Sequence, residues 1–290
     1  MPNKFNSSIN NHSFPKAFFL FPVLLKVYFF INFITTLRNW HIKKFLGKIT
    51  SKTKNKFLFY DAGCGSGDFI LSLSKKNKDS SFVGADIHNG NIDVCTNYAE
   101  KLNLKNISFV KQYIEHFNLK TPADIITCFT VLQYIEDDVS VLNLFSRSLK
   151  KDGILLVYVP VNYVVSIPLL RNLRNRYFSK LEYDAVNNIK RRYSRADILQ
   201  KLEYCGFETF EVKNTYGFAG RAAYEIHSFF LLAFQKVNLF LAFFILLFYI
   251  PCVFPFFLLL NLFDFCFSHK EGNGLLISCR KTTELTLKNQ

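Results

Sequence analysis

No Cys-x-x-Cys pair occurs in this 290-residue chain. Its seven cysteines (Cys64, Cys95, Cys128, Cys205, Cys252, Cys266 and Cys279) are scattered and odd in number. That excludes a disulfide framework and a zinc site, and it suits a reducing compartment. There is no Arg/Gly-rich tail and no zinc-finger spacing, so nucleic acid is not an expected partner. Acidic residues are scarce, 22 against 36 Lys and Arg, which leaves a net charge of +14. No A-x-A cleavage pattern follows the first apolar segment, which begins only after sixteen mostly polar residues. That segment therefore reads as a retained anchor rather than a signal peptide. No internal repeat is visible. Most telling, no charge occurs between Lys236 and Asp264.

What is abundant is Phe, 34 residues, in a chain that is 50% apolar. The apolar content concentrates at 17–37 and 229–267. A basic chain seeks phosphates on nucleic acid, anionic lipid or phosphorylated small molecules. The two greasy segments turn that choice toward a membrane surface. Beyond Pro22 the first segment offers about 15 helical residues, or about 23 Å, short of the ~30 Å of a hydrocarbon core. Lys26 interrupts it. A shallow interfacial helix is expected there, the other readings being a true span and a helix packed over the protein's own sheet.

Between these segments, strands and helices alternate. Short apolar runs at 57–62, 81–86, 107–111, 123–129 and 153–160 read as buried strands. Residues 67–76, 91–102 and 137–151 read as helices, Asp137 and Asp138 opening the last of them. Ser194 caps a further helix that Gly206 stops, followed by strands at 207–215 and 274–281. This alternation predicts a parallel sheet with helical crossovers.

The densest stretch is "FLFYDAGCGSGDF". A strand delivers Asp61, and Gly63, Gly65 and Gly67 turn the chain into a helix, leaving room for a ligand to approach the backbone. A dinucleotide fingerprint would read G-x-G-x-x-G. Here an acid sits inside the loop. It would repel a pyrophosphate and favours a ligand with an ammonium group and no phosphate. At the end of the second strand, Asp86 suits a ribose diol.

These motifs resemble the class I S-adenosylmethionine-dependent methyltransferases, of the type 11/12-like subgroup with D-x-G-C-G-x-G. "DAGCGSGDF" is similar to the cofactor loop, "GADI" to the ribose-binding strand end, and "ADIITCFTVLQYIEDD" to the strand and turn beneath the cofactor. "LKKDGILLVYVP" and "RRYSRADILQKLEYCGF" resemble later elements in the same order. The resemblance implies an α/β Rossmann-like fold, a mostly parallel seven-stranded sheet with an antiparallel last strand. It implies S-adenosyl-L-methionine as cofactor, with Gly63, Cys64, Gly65 and Gly67 around the methionine part and Asp61 at its amino end. Asp86 would hold the ribose, Ile87 the adenine, and Phe129 with Thr130 the floor. Where the family usually offers an acid to the adenine amine, this chain has Tyr113; Tyr113, the backbone at Ile114, or Glu115 takes that place. No general base is identified.

In that fold the last two strands are neighbours, so the uncharged run between them must leave the sheet and return to it. A single membrane span is excluded. Pro251 and Pro255 are expected to break the run into a hairpin with limbs 229–250 and 252–267, dipping into one leaflet, the alternatives being a hairpin that crosses fully twice and a buried soluble insert. Excising 229–267 is expected to leave the cofactor site intact. The expected organisation is 1–50, polar N-terminus and anchor helix; 51–217, methyltransferase domain; 218–272, membrane-associating hairpin; 273–290, last strand and tail. The basic residues Arg171, Arg174, Arg176, Lys190, Arg191 and Arg192 are candidates for lipid headgroups or a phosphate-bearing acceptor. The expected activity is methyl transfer to a hydrophobic or lipid-linked small molecule at the cytoplasmic face of a membrane. The alternatives are a tethered enzyme acting on a soluble small molecule, or a catalytically silent scaffold.

Overall fold

The computed structural model describes residues 16–53, 56–117, 119–161, 164, 166–177 and 189–282. Three helices come first: α1 (Lys16–Leu20), α2 (Pro22–Thr35) and α3 (Leu37–Lys52). Then follow β1 (Leu58–Ala62), α4 (Asp68–Lys76), β2 (Ser81–Asp86), α5 (Asn89–Lys101), β3 (Ile107–Lys111), β4 (Ala123–Phe129), α6 (Asp138–Ser148) and β5 (Leu149–Pro160). The chain closes with α7 (Pro168–Tyr177), α8 (Arg195–Tyr204), β6 (Phe207–Thr215), α9 (Phe218–Lys236), α10 (Leu239–Phe248), α11 (Phe254–Cys266) and β7 (Gly274–Lys281). The seven strands form one sheet in the order β3-β2-β1-β4-β5-β7-β6. β7 runs antiparallel to both β5 and β6, and the other pairings are parallel. This is the Rossmann-like methyltransferase architecture.

Alternation along each strand builds two cores. Tyr60, Ile126, Leu155 and Ile277 point into one, shared with Val141, Leu142 and Phe145 of α6 and Ile198 and Leu202 of α8. Their neighbours Phe59, Ile125, Leu156 and Leu276 point into the other, against Ile42, Phe45, Leu46 and Ile49 of α3. The period-2 side-chain alternation of a strand produces this division. The basic stretch after Arg38 is therefore half of an amphipathic helix that completes one face of the sheet. Local chemistry agrees with these bounds: Asp137 caps α6, accepting from the Ser140 N–H at 2.9 Å, and Ser194 caps α8.

Two apolar additions lie outside this frame. On α2, Leu25 is buried against Leu71, Val94 and Tyr98, whereas Val23, Val27, Phe30 and Ile31, with Leu20 and Phe21 just before the helix, form an exposed stripe. The second lies between β6 and β7. Thr215 pairs with Gly274, so the chain leaves and rejoins the sheet at one point. The intervening helices form a hairpin whose turn is at Val237 and Asn238, and not at Pro251 and Pro255 as the prolines alone predict. Asn238 caps the returning arm through the Leu241 N–H at 2.9 Å. Pro251 falls in a π-helical turn, Tyr249–Val253, which joins α10 to α11 without a break. A wider turn accommodates a residue that cannot donate to the ladder. Pro255 sits in the first turn of α11, where its missing N–H is tolerated.

The returning arm is consequently one long helix. Phe240–Cys266, 27 residues, is long and apolar enough to cross a membrane. Its side chains are exposed around most of α10 and into the π turn, at Phe240, Leu241, Phe243, Phe244, Leu246, Leu247, Phe248 and Ile250, and along one side of α11, at Phe256, Leu259, Leu262 and Phe263. The opposite side packs on α9 and on the domain: His227 stacks on Phe257, and Trp40 and His41 of α3 meet Phe265. At the base, the buried Asp264 accepts from the Gly220 N–H at 2.8 Å and pairs with His269. Excising 229–267 would remove Asp264 and Phe265 and uncover His41 and Leu37. No described residue of 229–267 lines the cofactor crevice, so the deletion bears on the packing of α3 rather than on the crevice wall itself.

Candidate active site

Asp61, the glycine loop, Asp86 and Phe129 all stand at the carboxyl ends of parallel strands, around the point where the strand order reverses between β1 and β4. Open α/β sheets bind ligands in that crevice. A cavity of about 650 Å³ occupies it here, lined by Asp61, Gly63, Cys64, Gly65, Ser66, Asp68, Phe69, Phe129 and Thr130 among others.

The loop owes its shape to its glycines. Gly63, Gly65 and Gly67 have φ of 80°, 53° and 76°. A Cβ on Gly63 would lie 2.2 Å from Val131, and one on Gly67 2.7 Å from the Cys95 sulfur. On Gly65 it would meet nothing within 4 Å, in the open space of the cavity. Gly63 and Gly67 thus close the loop on the protein, while Gly65 keeps its inner side clear. The N–H groups of Gly63 and Cys64 donate to Ala85 O at 2.8 and 2.9 Å, which ties the loop to β2.

Asp61 is buried, and the Thr127 hydroxyl donates to its Oδ1 at 2.7 Å. Loss of solvent pushes its carboxyl up to about 7, against the pull of that hydrogen bond, with the charges of Asp68 and Asp86 adding to the rise. Asp86 is also buried. It accepts from Gly65 N–H (2.9 Å) and His88 N–H (2.8 Å), and the His88 ring nitrogen lies 3.0 Å away. It therefore braces the glycine loop from β2. Thr130, at φ 57°, is a β-branched residue in the left-handed region, held by its N–H to Tyr158 O at 2.8 Å. Strained backbone of this kind concentrates at functional sites.

The residues expected around an adenine are not drawn into the cavity wall. Ile87 and Tyr113 are exposed, and Ile114 is buried in the main core. Conversely, the N-terminal helices contribute Phe18, Tyr28, Asn32, Arg38, Asn39 and Ile42, which carried no motif. Asn32 Nδ2 donates to Asp68 Oδ2 at 3.4 Å, joining α2 to the start of α4. Burial pushes the Asp68 carboxyl up, and the nearby Arg38 charge opposes it. α2 and α3 are thus a cover over the crevice. Of the basic candidates, Lys190 pairs with Glu136 at 3.3 Å and Arg191 with Asp138 at 2.7 Å, so both are engaged within the protein. The side chains of Arg171, Arg174 and Arg176 lie outside the described residues.

A family profile described as a methyltransferase domain matches residues 54–203, just over half of the chain. The chain belongs to the class I S-adenosylmethionine-dependent methyltransferases. It is 28% identical over 182 residues to the ubiquinone biosynthesis O-methyltransferase of Glaesserella parasuis, covering 60% of this chain and 74% of that one. Two solved structures share the fold. The phosphoethanolamine N-methyltransferase 2 of Haemonchus contortus, in complex with S-adenosyl-L-methionine, superposes with a TM-score of 0.57 at 18% identity, over 84% of this chain and 53% of that one. A putative sarcosine dimethylglycine methyltransferase from Galdieria sulphuraria gives 0.57 at 12%, over 85% and 86%.

The methyltransferase's cofactor is S-adenosyl-L-methionine, and the crevice fits it. The clear space over Gly65 admits a ligand to the backbone, the buried Asp61 suits an ammonium, and among the described residues no lysine or arginine side chain other than Arg38 lines the cavity to hold a phosphate. When bound, this cofactor supplies an activated methyl group with its own leaving group. The protein's part is to orient the two reactants and exclude water.

Proposed function

We propose that the chain transfers methyl groups to a hydrophobic or lipid-linked small molecule while docked on the cytoplasmic face of a membrane. The observation that carries this reading is the exposed apolar surface beside the crevice. Trp40 bridges α2 and α11, its ring 6.2 Å from Phe33 and 5.8 Å from Phe265, so the α2 stripe and the exposed side chains of α10–α11 belong to neighbouring helices. The Lys43 and Lys44 ammonium groups lie over the Phe33 and Phe265 rings, 4.3 and 5.3 Å from their centroids, so two cations flank this apolar surface. Exposed patches far smaller than two such helices mark interaction surfaces. The hairpin apex, Gln235 to Asn238, is polar and carries Lys236. Apex-first insertion would bury that charge, so the long helix lies flat in the interface.

Two native thiols test the docking. Cys252 and Cys266 are exposed on this helix and the other five cysteines are buried. In detergent-free buffer a maleimide should modify both. With vesicles of mixed neutral and anionic lipid, modification should slow at least about tenfold, because few thiols reach thiolate in an apolar layer. Equal rates with and without vesicles contradict membrane docking.

For the cofactor, Asp61 takes the amino end and Asp86 the ribose. Asp86→Ala removes charge-assisted hydrogen bonds worth about 1.5–3 kcal/mol, roughly a tenfold to hundredfold loss in affinity by calorimetry. Unchanged affinity would remove Asp86 from the site.

Asp61 adds a pH dependence. Its folded pKa, about 7, lies above its ordinary value of 3.8, so the folded chain binds the extra proton. Its contribution to stability therefore falls as pH rises from about 4 to about 7, and is level above that. Pairing with an ammonium requires the carboxylate, so affinity should drop about fivefold from pH 7 to pH 6. Calorimetry across pH 6–8 checks this, and Asp61→Asn should flatten the profile.

A further inference from the structure

A second cavity, of about 530 Å³, lies between α2, α3 and α4. Phe29, Phe30, Phe33, Leu46 and Leu73 give it an apolar wall, and Lys26, Lys43 and Lys76 line it as well. Asp68 and Phe69 line both this cavity and the cofactor crevice, so the two adjoin across one residue pair. Phe69 also meets Phe129 edge-on, at 5.8 Å, on the crevice side. Phe30 lines the cavity and belongs to the exposed stripe of α2, which places the cavity at the membrane-facing surface. Asp68 is the one acid among the lining residues, and it is engaged with Asn32 and the Phe69 N–H. Three cations with a wall of phenylalanines select an amphiphile carrying an anionic head and a hydrocarbon chain.

We infer that this cavity is the bilayer-side cleft for the methyl acceptor, and that it takes a phosphate-bearing amphiphile. The inference rests on the reading of the acceptor as hydrophobic or lipid-linked. The hydrocarbon chain lies along Phe29, Phe30 and Phe33, the phosphate meets Lys26, Lys43 and Lys76, and the remainder of the head passes Phe69 into the crevice. Lys26, which interrupts the apolar run in sequence, is then a ligand-facing residue. Phosphate recognition by lysines as point charges requires no fixed fork geometry, which suits a mobile head.

Gly47 provides a clean block. It lines this cavity and not the crevice, and a Cβ there meets nothing within 4 Å. It sits inside α3, where a side chain raises helix propensity. Dodecyl phosphate, held below its micelle concentration, serves as probe. Trp40, the single Trp, donates to Phe33 O at 2.6 Å and reports on the cavity wall by fluorescence. The full chain should bind dodecyl phosphate, and inorganic phosphate at equal concentration should not displace it. Gly47→Leu should weaken binding at least about tenfold, the equivalent of one or two displaced methylenes or more. Gly47→Ala, a control for the fold, should bind close to wild type. Lys43→Gln with Lys76→Gln should weaken dodecyl phosphate and leave dodecanol unchanged. S-adenosylmethionine affinity should be the same in all of them. Wild-type affinity in Gly47→Leu, or full displacement by inorganic phosphate, overturns the inference. The two readings separate in a methylation assay on a membrane lipid extract. If Gly47→Leu labels lipid as fast as wild type, the cleft is refuted and the lipid acceptor stands. If wild type labels no lipid while dodecyl phosphate binds as described, the cavity stands as an amphiphile site and its role as acceptor cleft is refuted.

Discussion

Gly65→Val is expected to abolish cofactor binding while leaving the sheet folded. Two effects combine. At φ 53° a β-branched residue is strained, by about 1–2 kcal/mol. More decisive is direction: a Cβ at Gly65 points into the clear space of the crevice, so valine's methyl groups occupy the ligand's path. Displacing a ligand from close backbone contact costs several kcal/mol, so affinity should fall more than about a hundredfold. Circular dichroism should keep its native signature, since no core side chain moves. Gly63→Val would be a poor substitute, because its Cβ collides with Val131 and disturbs the fold as well. Normal binding of S-adenosylmethionine by folded Gly65→Val would remove this loop from the cofactor site.

The second large effect concerns the membrane. Phe243, Leu247 and Ile250 lie one or two turns apart on the outer side of the long helix and are 56%, 55% and 54% exposed. Full burial of such a side chain contributes about 1.5–3 kcal/mol, and roughly half of each is already buried in the protein. Replacing all three by Ser should therefore cost about 3–4 kcal/mol of membrane affinity, a shift of a few hundredfold in vesicle partition. Folding should be little affected, because these positions make few contacts with the domain. Sedimentation with vesicles reads the shift directly. Partition equal to wild type would mean that this side of the helix does not meet lipid.

The strands were legible in sequence because each obeys a local rule. β1, β2 and β4 are short apolar runs ended by Gly, Asp or turn residues, and the cofactor loop combines an acid with three glycines at fixed spacing. Ser194 and Asp137 announce their helices by N-capping, and both side chains do so. The hairpin shows where reading stopped. Pro251 and Pro255 were the conspicuous breakers, yet a π turn and a helix first turn absorb them. The actual break is at Asn238, whose capping role is an ordinary sequence signal that the surrounding apolar run masked. The cover of the crevice was less accessible still. Asn32, Arg38 and Asn39 belong to no motif, and only the packing of α2 on α4 and α5 and of α3 on the sheet brings them to the cofactor loop. Tyr113, one of three candidates for the adenine amine beside Ile114 and Glu115, has an exposed side chain that packs edge-on to His116.

The most direct measurement is transfer of a labelled methyl group. The full chain, S-adenosylmethionine carrying a labelled methyl, and vesicles made from a total membrane lipid extract are incubated together and partitioned between organic solvent and water. Label should accumulate in the organic phase, and Asp86→Ala and the triple Ser variant should each reduce it. Label found only on water-soluble products, with the lipid phase at background, would contradict the account.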